Sequence, residues 1–129
     1  MDKIADMLIV IKNAGNSNKE SLLLPYSKYR ADIARALFQA GYIKSYAQKK
    51  MKKGDKLEID LLYKKDKSPR ITYVKRVSKP SRRLYTGVKG IYSVKQGFGD
   101  LFLSTPKGIL TGKEAKKEMV GGELLFEIA

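Results

Sequence analysis

Leu57-Glu58-Ile59-Asp60-Leu61 alternates apolar and acidic residues without a break. That is the two-residue period of a strand with one buried face. Just before it, Lys53-Gly54-Asp55 has the composition of a tight turn, so the pair predicts a hairpin whose other arm is residues 42–47. Working back, Ser27 is placed to cap a helix with Ile33, Ala36, Leu37 and Ala40 on one face and Gly41 closing it. Leu22-Leu23-Leu24-Pro25 is a short apolar run that Pro25 ends or sends to a sheet edge. Ile4, Met7, Leu8 and Ile11 fall at i, i+3, i+4 and i+7, with Asp2 as N-cap and Gly15 as stop. The order helix, strand, helix, strand, strand predicts a small α/β unit with helices packed on one sheet.

Working forward, residues 64–70 are a polar, charged break that reads as a link between halves. Residues 71–77 read as a strand, Lys79-Pro80-Ser81-Arg82-Arg83 as a basic turn, and Leu84-Tyr85 as a short strand. Gly97-Phe98-Gly99 precedes a strand at residues 101–103, and Thr111-Gly112-Lys113-Glu114 has the capping-box spacing for a short third helix. Gly121-Gly122 turns into a last strand expected to show Leu124, Phe126 and Ile128 on one face. The fold class expected is α+β in two small α/β subdomains, residues 1–65 and 66–129. The first is helix-strand-helix-strand-strand, and the second is mainly β with a short helix.

Apolar residues make up 43% of the 129, enough for a core. There is neither cysteine nor histidine. That excludes disulfides, thiolate zinc sites and every Ser-His or Cys-His arrangement, leaving carboxylates, Lys, Tyr and Ser for any chemistry. The longest aliphatic run, Met7-Leu8-Ile9-Val10-Ile11, falls well short of the roughly 20 residues that span a bilayer. Asp2 and Asp6 stand where a signal or transit peptide is acid-poor. A soluble cytoplasmic protein with no membrane partner is expected.

The net charge of +14 is unevenly spread. Residues 1–47 hold 7 Lys/Arg against 4 Asp/Glu, residues 48–95 hold 16 against 4, and residues 96–129 hold 4 against 5. A solvated lysine face competes with polyanion binding for that excess. The stretch Lys75-Arg76-Val77-Ser78-Lys79-Pro80-Ser81-Arg82-Arg83-Leu84-Tyr85 favours nucleic acid. Arginine forks fit phosphate oxygens, and a neighbouring aromatic can stack on a base or pack on a sugar. Ser104-Thr105-Pro106-Lys107-Gly108 reads as a small polar loop whose adjacent hydroxyls could face base edges or ribose, or could form a plain turn. Gly97-Phe98-Gly99 lacks the third glycine of a dinucleotide fingerprint and the Gly-Lys-Ser/Thr of a P-loop, so its glycines read as turns. Glu58 and Asp60 share a strand face among lysines and read as its solvent side, while Glu123 and Glu127 have no second catalytic group near them in sequence. No catalytic residues, metal ligands, cofactors or small-molecule substrate are expected.

In order, these segments resemble the bacterial-type family of the eighth protein of the small ribosomal subunit, over nearly the whole chain. The resemblance begins at Asp2-Lys3-Ile4-Ala5-Asp6-Met7-Leu8 and Ile11-Lys12-Asn13-Ala14. It continues through Pro25-Tyr26-Ser27-Lys28, Gly41-Tyr42-Ile43, Lys75-Arg76-Val77-Ser78-Lys79-Pro80 and Arg83-Leu84-Tyr85. The most specific part is Leu103-Ser104-Thr105-Pro106-Lys107-Gly108-Ile109-Leu110-Thr111, then Glu114-Ala115-Lys116 and Gly121-Gly122-Glu123.

The resemblance implies a non-enzymatic structural protein that binds the central domain of small-subunit ribosomal RNA and helps assemble the platform. It also implies neighbouring small-subunit proteins as partners and, for some members, their own messenger RNA. Carried over position by position, the RNA-facing residues are Lys79, Arg83, Tyr85, Ser104, Thr105, Lys107, Gly108 and Glu123. Pro106 stands where the family usually has a second serine, Phe102 where it has a smaller aliphatic, Ser81 where it has glycine, and Lys3 where it has proline. The chain ends in Ala129 where the family commonly has tryptophan. Two other readings are a free RNA-binding translational regulator and a carboxylate-metal nuclease using Asp55, Glu58 or Asp60.

Overall fold

The computed structural model describes residues 2–129. Two compact units are formed, residues 4–71 and residues 72–129, the latter with Asp2 and Lys3.

In the first unit the elements are α1 (Lys3–Asn16), β1 (Ser21–Pro25), α2 (Lys28–Gln39), β2 (Ile43–Lys49) and β3 (Lys56–Leu61). The alternating segment is the middle strand of an antiparallel sheet ordered β1-β3-β2. Leu57, Ile59 and Leu61 are buried while Glu58 and Asp60 are half-buried on the other face. Pro25 lies at the end of an edge strand, where a missing N–H does no harm. The Ser27 side chain accepts from the Arg30 N–H, and Gly41 takes φ +84 just past α2.

Gly15 does not stop α1. It is buried inside the helix, and a Cβ there would lie 3.3 Å from Cβ of Pro69. Its small size serves a close approach from a residue far along the chain, and the left-handed residue past the helix is Asn18, φ 57. Residues 66–71, read from sequence as part of the second half, fold back onto the first. Lys64 N–H donates to Ser68 O, Arg70 N–H donates to Leu62 O, and the Arg70 guanidinium lies 4.2 Å over the Tyr42 ring. The charged break is an ordered turn, with the Asp66 carboxylate accepting from both N–H and hydroxyl of Ser68.

The second unit comprises β4 (Val74–Arg76), β5 (Tyr85–Thr86), β6 (Asp100–Thr105), β7 (Gly108–Thr111), α3 (Gly112–Lys117) and β8 (Gly122–Ile128). The sheet runs β4-β8-β6-β7, and β5 also pairs with β8. β4 and β5 therefore lie end to end along one edge of β8, opposite β6. The expected strand over residues 71–77 shrinks to three residues. Thr72 and Tyr73 N–H both donate to Ala129 O, and Val77 and Ser78 N–H both turn to β8. Successive amides that aim the same way cannot belong to a regular ladder. The capping box at α3 forms as read: Thr111 Oγ1 accepts from Glu114 N–H, and Glu114 accepts from Thr111 N–H.

β8 also departs from the expected pattern. Phe102 pairs with Phe126 but Leu103 pairs with Leu124, so Leu125 is an extra residue, a bulge. The bulge puts Leu124 with Leu101, Leu103, Ile91, Val94 and Ala115 in the core. Phe126 is left on the opposite face, stacked on Phe102 at 4.9 Å and 14°. Leu124 and Phe126 thus do not share a face, because one inserted residue inverts a two-residue period.

Tyr73 and Tyr92 converge on Glu127, donating at 2.9 and 2.8 Å to its two oxygens, while Lys95 sits 4.1 Å over the Tyr73 ring. Desolvation first, then the Glu127 hydrogen bond and charge, push the Tyr92 hydroxyl up to about 12. The same causes raise Tyr73. A raised tyrosine adds stability that is complete below its unfolded value near 10 and lost as pH rises through the folded one. Alkaline unfolding should therefore steepen between about pH 10 and 12, and Tyr92→Phe should flatten that region. An unchanged alkaline profile in the phenylalanine variant would show that Tyr92 is not the group responsible.

Candidate nucleic-acid interface

Residues 72–95 carry seven Lys/Arg and no acidic residue, and how they are held decides what they can touch. Val77 and Ser78 N–H donate to β8 on one side of the loop, and Leu84 O accepts from Leu124 N–H on the other. Between these anchors Lys79 and Arg82 exchange two backbone hydrogen bonds, 2.9 and 3.0 Å, closing the basic turn. Ser78 is fully buried, its hydroxyl accepting from Leu84 N–H and donating to Glu123 at 2.6 Å. The Glu123 carboxylate also takes Arg83 at 3.3 Å, with side-chain exposures of 13% for Glu123 and 57% for Arg83. Glu123 thus clamps the loop to the sheet and orients a guanidinium that stays largely in solvent.

Not every cation of this stretch is available. Arg76 is bound to Asp2 at 3.0 Å and to the Leu125 carbonyl, and its side chain is only 12% exposed. Lys79, Arg82 and Arg83 are exposed.

Strand register brings the rest of the expected residues alongside. Tyr85 pairs with Glu123, Glu123 with Ser104, and Ser104 with Ile109. Directly paired residues share a sheet face, so these four form a row across β5, β8, β6 and β7. Two interstrand spacings put Tyr85 and Ser104 about 10 Å apart. The Tyr85 side of that row is open, the residue being 68% exposed.

Ser104 and Thr105 are not loop residues. They end β6, and only Pro106 and Lys107 form the turn before β7 starts at Gly108. Pro106 as first and Gly108 (φ +110) as third residue after Thr105 suit that tight connection. Thr105 Oγ1 donates to Gly108 O at 2.7 Å and accepts from Lys107 N–H at 3.1 Å. Its only proton is thereby committed to the turn. Among the described residues no partner engages the half-buried Ser104 hydroxyl. Lys107 reaches Glu118 at 3.1 Å in an exposed pair, a contact of little worth that a phosphate could displace.

Lys79, Arg83, Tyr85, Ser104, Thr105, Lys107, Gly108 and Glu123 thus fall on one connected part of the second unit. Two structural contributors escaped sequence reasoning: Ser78, whose partner lies 45 residues away, and Gly122, where a Cβ would meet the Ser104 carbonyl oxygen at 2.1 Å. The carboxylates of the nuclease reading do not converge. Asp55 accepts from Gln48, Glu58 pairs with Lys49 and Asp60 accepts from Ser45.

Pro106→Ser should lose about 0.4–1 kcal/mol of folding stability, and so melt slightly earlier, through the freer unfolded chain. It should bind RNA at least as tightly, since it restores a hydroxyl and an amide donor. Thermal unfolding and titration at fixed salt on one preparation check both, and markedly weaker binding would mean that Pro106 itself makes a contact.

The family model described as Ribosomal protein S8 matches residues 2–128. Proteins called small ribosomal subunit protein uS8 are similar along nearly their whole length. That of Erythrobacter litoralis is 42% identical over 127 residues, 98% of this chain and 96% of the relative. Those of Mycoplasmopsis agalactiae (43%) and Thermus aquaticus (42%) are similar over 98% of this chain and 96% and 97% of their own. With the family model matching almost every residue and relatives this similar over nearly complete lengths, the chain belongs to the ribosomal protein S8 family.

Proposed function

We propose that this chain is a non-catalytic constituent of the small ribosomal subunit, in the cytoplasm, that binds the central domain of the subunit's RNA and helps assemble the platform. The second unit, from residue 72 onward, carries the RNA face, and neighbouring subunit proteins are the chain's other partners. Family membership supports the ribosomal part. The observation that supports the RNA face is the clamped cationic loop of Lys79 and Arg83 beside an open Tyr85 and a Ser104 hydroxyl that has no partner among the described residues. Lys79, Arg83 and Lys107 neutralise phosphates, and Tyr85 offers a ring to a base or sugar. Ser104 reads a polar group, Thr105 and Gly108 hold the turn, and Glu123 orients Arg83.

Sucrose-gradient fractionation at magnesium levels that keep subunits intact tests the ribosomal part. The chain is expected with small subunits, and recovery wholly at the top of the gradient would favour a free messenger-RNA regulator. Ser104→Ala tests the face. It should weaken a central-domain stem by about 1–3 kcal/mol if a buried RNA group loses its partner, and spare an unrelated stem. Thr105→Val should in addition lower the melting temperature. Equal losses on both RNAs for Ser104→Ala would remove it from the reading set.

A further inference from the structure

The excess charge of residues 48–95 is divided between the two units. Residues 72–95 hold seven Lys/Arg against none, and residues 48–71 hold nine against four. In the first unit the densest part is the tip of the β2–β3 hairpin, Lys49-Lys50-Met51-Lys52-Lys53-Gly54-Asp55-Lys56, with five lysines and one carboxylate in eight residues. Residues 49–55 are all exposed.

The tip is a fixed turn. Gly54 adopts φ +114, its N–H donates to Met51 O, and Asp55 O accepts from Tyr26 N–H. Local acids do little to neutralise it: Glu58 takes Lys49 at 3.6 Å, and the Asp55 carboxylate takes the Gln48 amide at 2.7 Å. Among the described residues no carboxylate lies within ion-pair distance of Lys50, Lys52 or Lys53. Three like charges held at one turn repel one another, and a polyanion relieves that repulsion.

We propose that this hairpin tip, through Lys50, Lys52 and Lys53, is a second RNA contact that lies along a phosphodiester backbone without reading bases. Lysine ammoniums are compact point charges on flexible stems that suit single phosphate oxygens, and the tip holds no arginine fork to fix a base-edge geometry. A hairpin presents no apolar helical face to a membrane surface, and Met51, the one large apolar residue of the tip, is too small a patch to dock a protein. The contact is additional to the face on the second unit and rests on the RNA-binding reading only in taking RNA as the partner.

The test compares the full chain with its Lys50→Gln/Lys52→Gln/Lys53→Gln variant on complete small-subunit ribosomal RNA across a salt series. Three lost phosphate contacts should make the slope of log affinity against log salt shallower by about two, with at least a tenfold loss at low salt. The matching triple Lys→Arg variant should bind like the parent. Lys64→Gln/Lys65→Gln/Lys67→Gln, an equal charge change on another exposed turn of the same unit, should leave the slope within half a unit. The free tip variant should melt no earlier than the parent, since it loses only repulsion. An unchanged slope, or an equal loss in the Lys64/Lys65/Lys67 variant, overturns the tip contact. If Arg83→Ala weakens binding while the tip variant does not, the tip alone fails. If the tip variant weakens it while Arg83→Ala does not, the second-unit face fails. Failure of the parent to bind this RNA at all overturns both.

Discussion

Gly122→Ala should destabilise the fold by about 3 kcal/mol, the upper end of the usual cost of forcing atoms into packed structure. It should also lower RNA affinity at least tenfold. The new Cβ would stand 2.1 Å from the Ser104 carbonyl oxygen, 2.9 Å from its carbon and 3.1 Å from Thr105 Cα. All three belong to the backbone of β6, so no side-chain rotation gives relief. β8 and β6 must separate where Glu123 pairs with Ser104, and Gly122 is also the residue paired with Thr86 of β5. One methyl group thus pries at the row that holds Tyr85, Glu123 and Ser104 together. Against a total stability of about 5–15 kcal/mol the loss is large. Gly87→Ala is the control, because nothing lies within 4 Å of a Cβ there and its φ of −83 suits any residue. It should stay within about 0.5 kcal/mol. Urea unfolding and RNA titration on both variants check this, and a Gly122→Ala chain as stable as the control would mean that β6 and β8 separate at no cost.

The second large effect is electrostatic. If Lys79, Arg83 and Lys107 each neutralise one phosphate, a stem bound by the second unit should show a log–log salt slope of roughly −2 to −3. Between 50 and 200 mM salt that is roughly a fifteen- to sixtyfold loss of affinity. Arg83→Ala should bring the slope up by about one unit on cognate and unrelated stems alike, because a phosphate contact carries no sequence information. It leaves Glu123 still bonded to Ser78, so the loop keeps its anchor and the melting temperature should hardly move. A flat salt response in the parent chain would remove the phosphate argument, and a large fall in stability for Arg83→Ala would recast the residue as structural.

What sequence reading captured and what it missed divide along contact range. The β3 alternation, the Ser27 cap, the Thr111–Glu114 box and the turn glycines Gly41, Gly54 and Gly108 are written within a few residues of where they act. Gly15 could not be read that way, because its reason is Pro69, 54 positions further on. The bulge at Leu125 arises from how β8 meets β6 and has no signature inside Leu124-Leu125-Phe126. Arg76 looked like one more phosphate ligand until Asp2 and the Leu125 carbonyl were seen to hold it. The residues of the interface came from family resemblance. How each is held follows from the tertiary structure, since no spacing shows that Thr105 is committed to its turn while, among the described residues, nothing engages the Ser104 hydroxyl, or that Glu123 clamps the loop.

Ultraviolet cross-linking of the chain to the central domain of small-subunit ribosomal RNA, with the nucleotide-bearing peptides mapped, tests the RNA face most directly. Tyr85 is an exposed ring at the β5 end of the row it forms with Glu123 and Ser104, and the account predicts a nucleotide on the peptide that contains it, lost when Arg83 and Lys79 are both replaced by alanine. Cross-links that leave residues 72–129 wholly unmodified, with the RNA demonstrably bound, would contradict it.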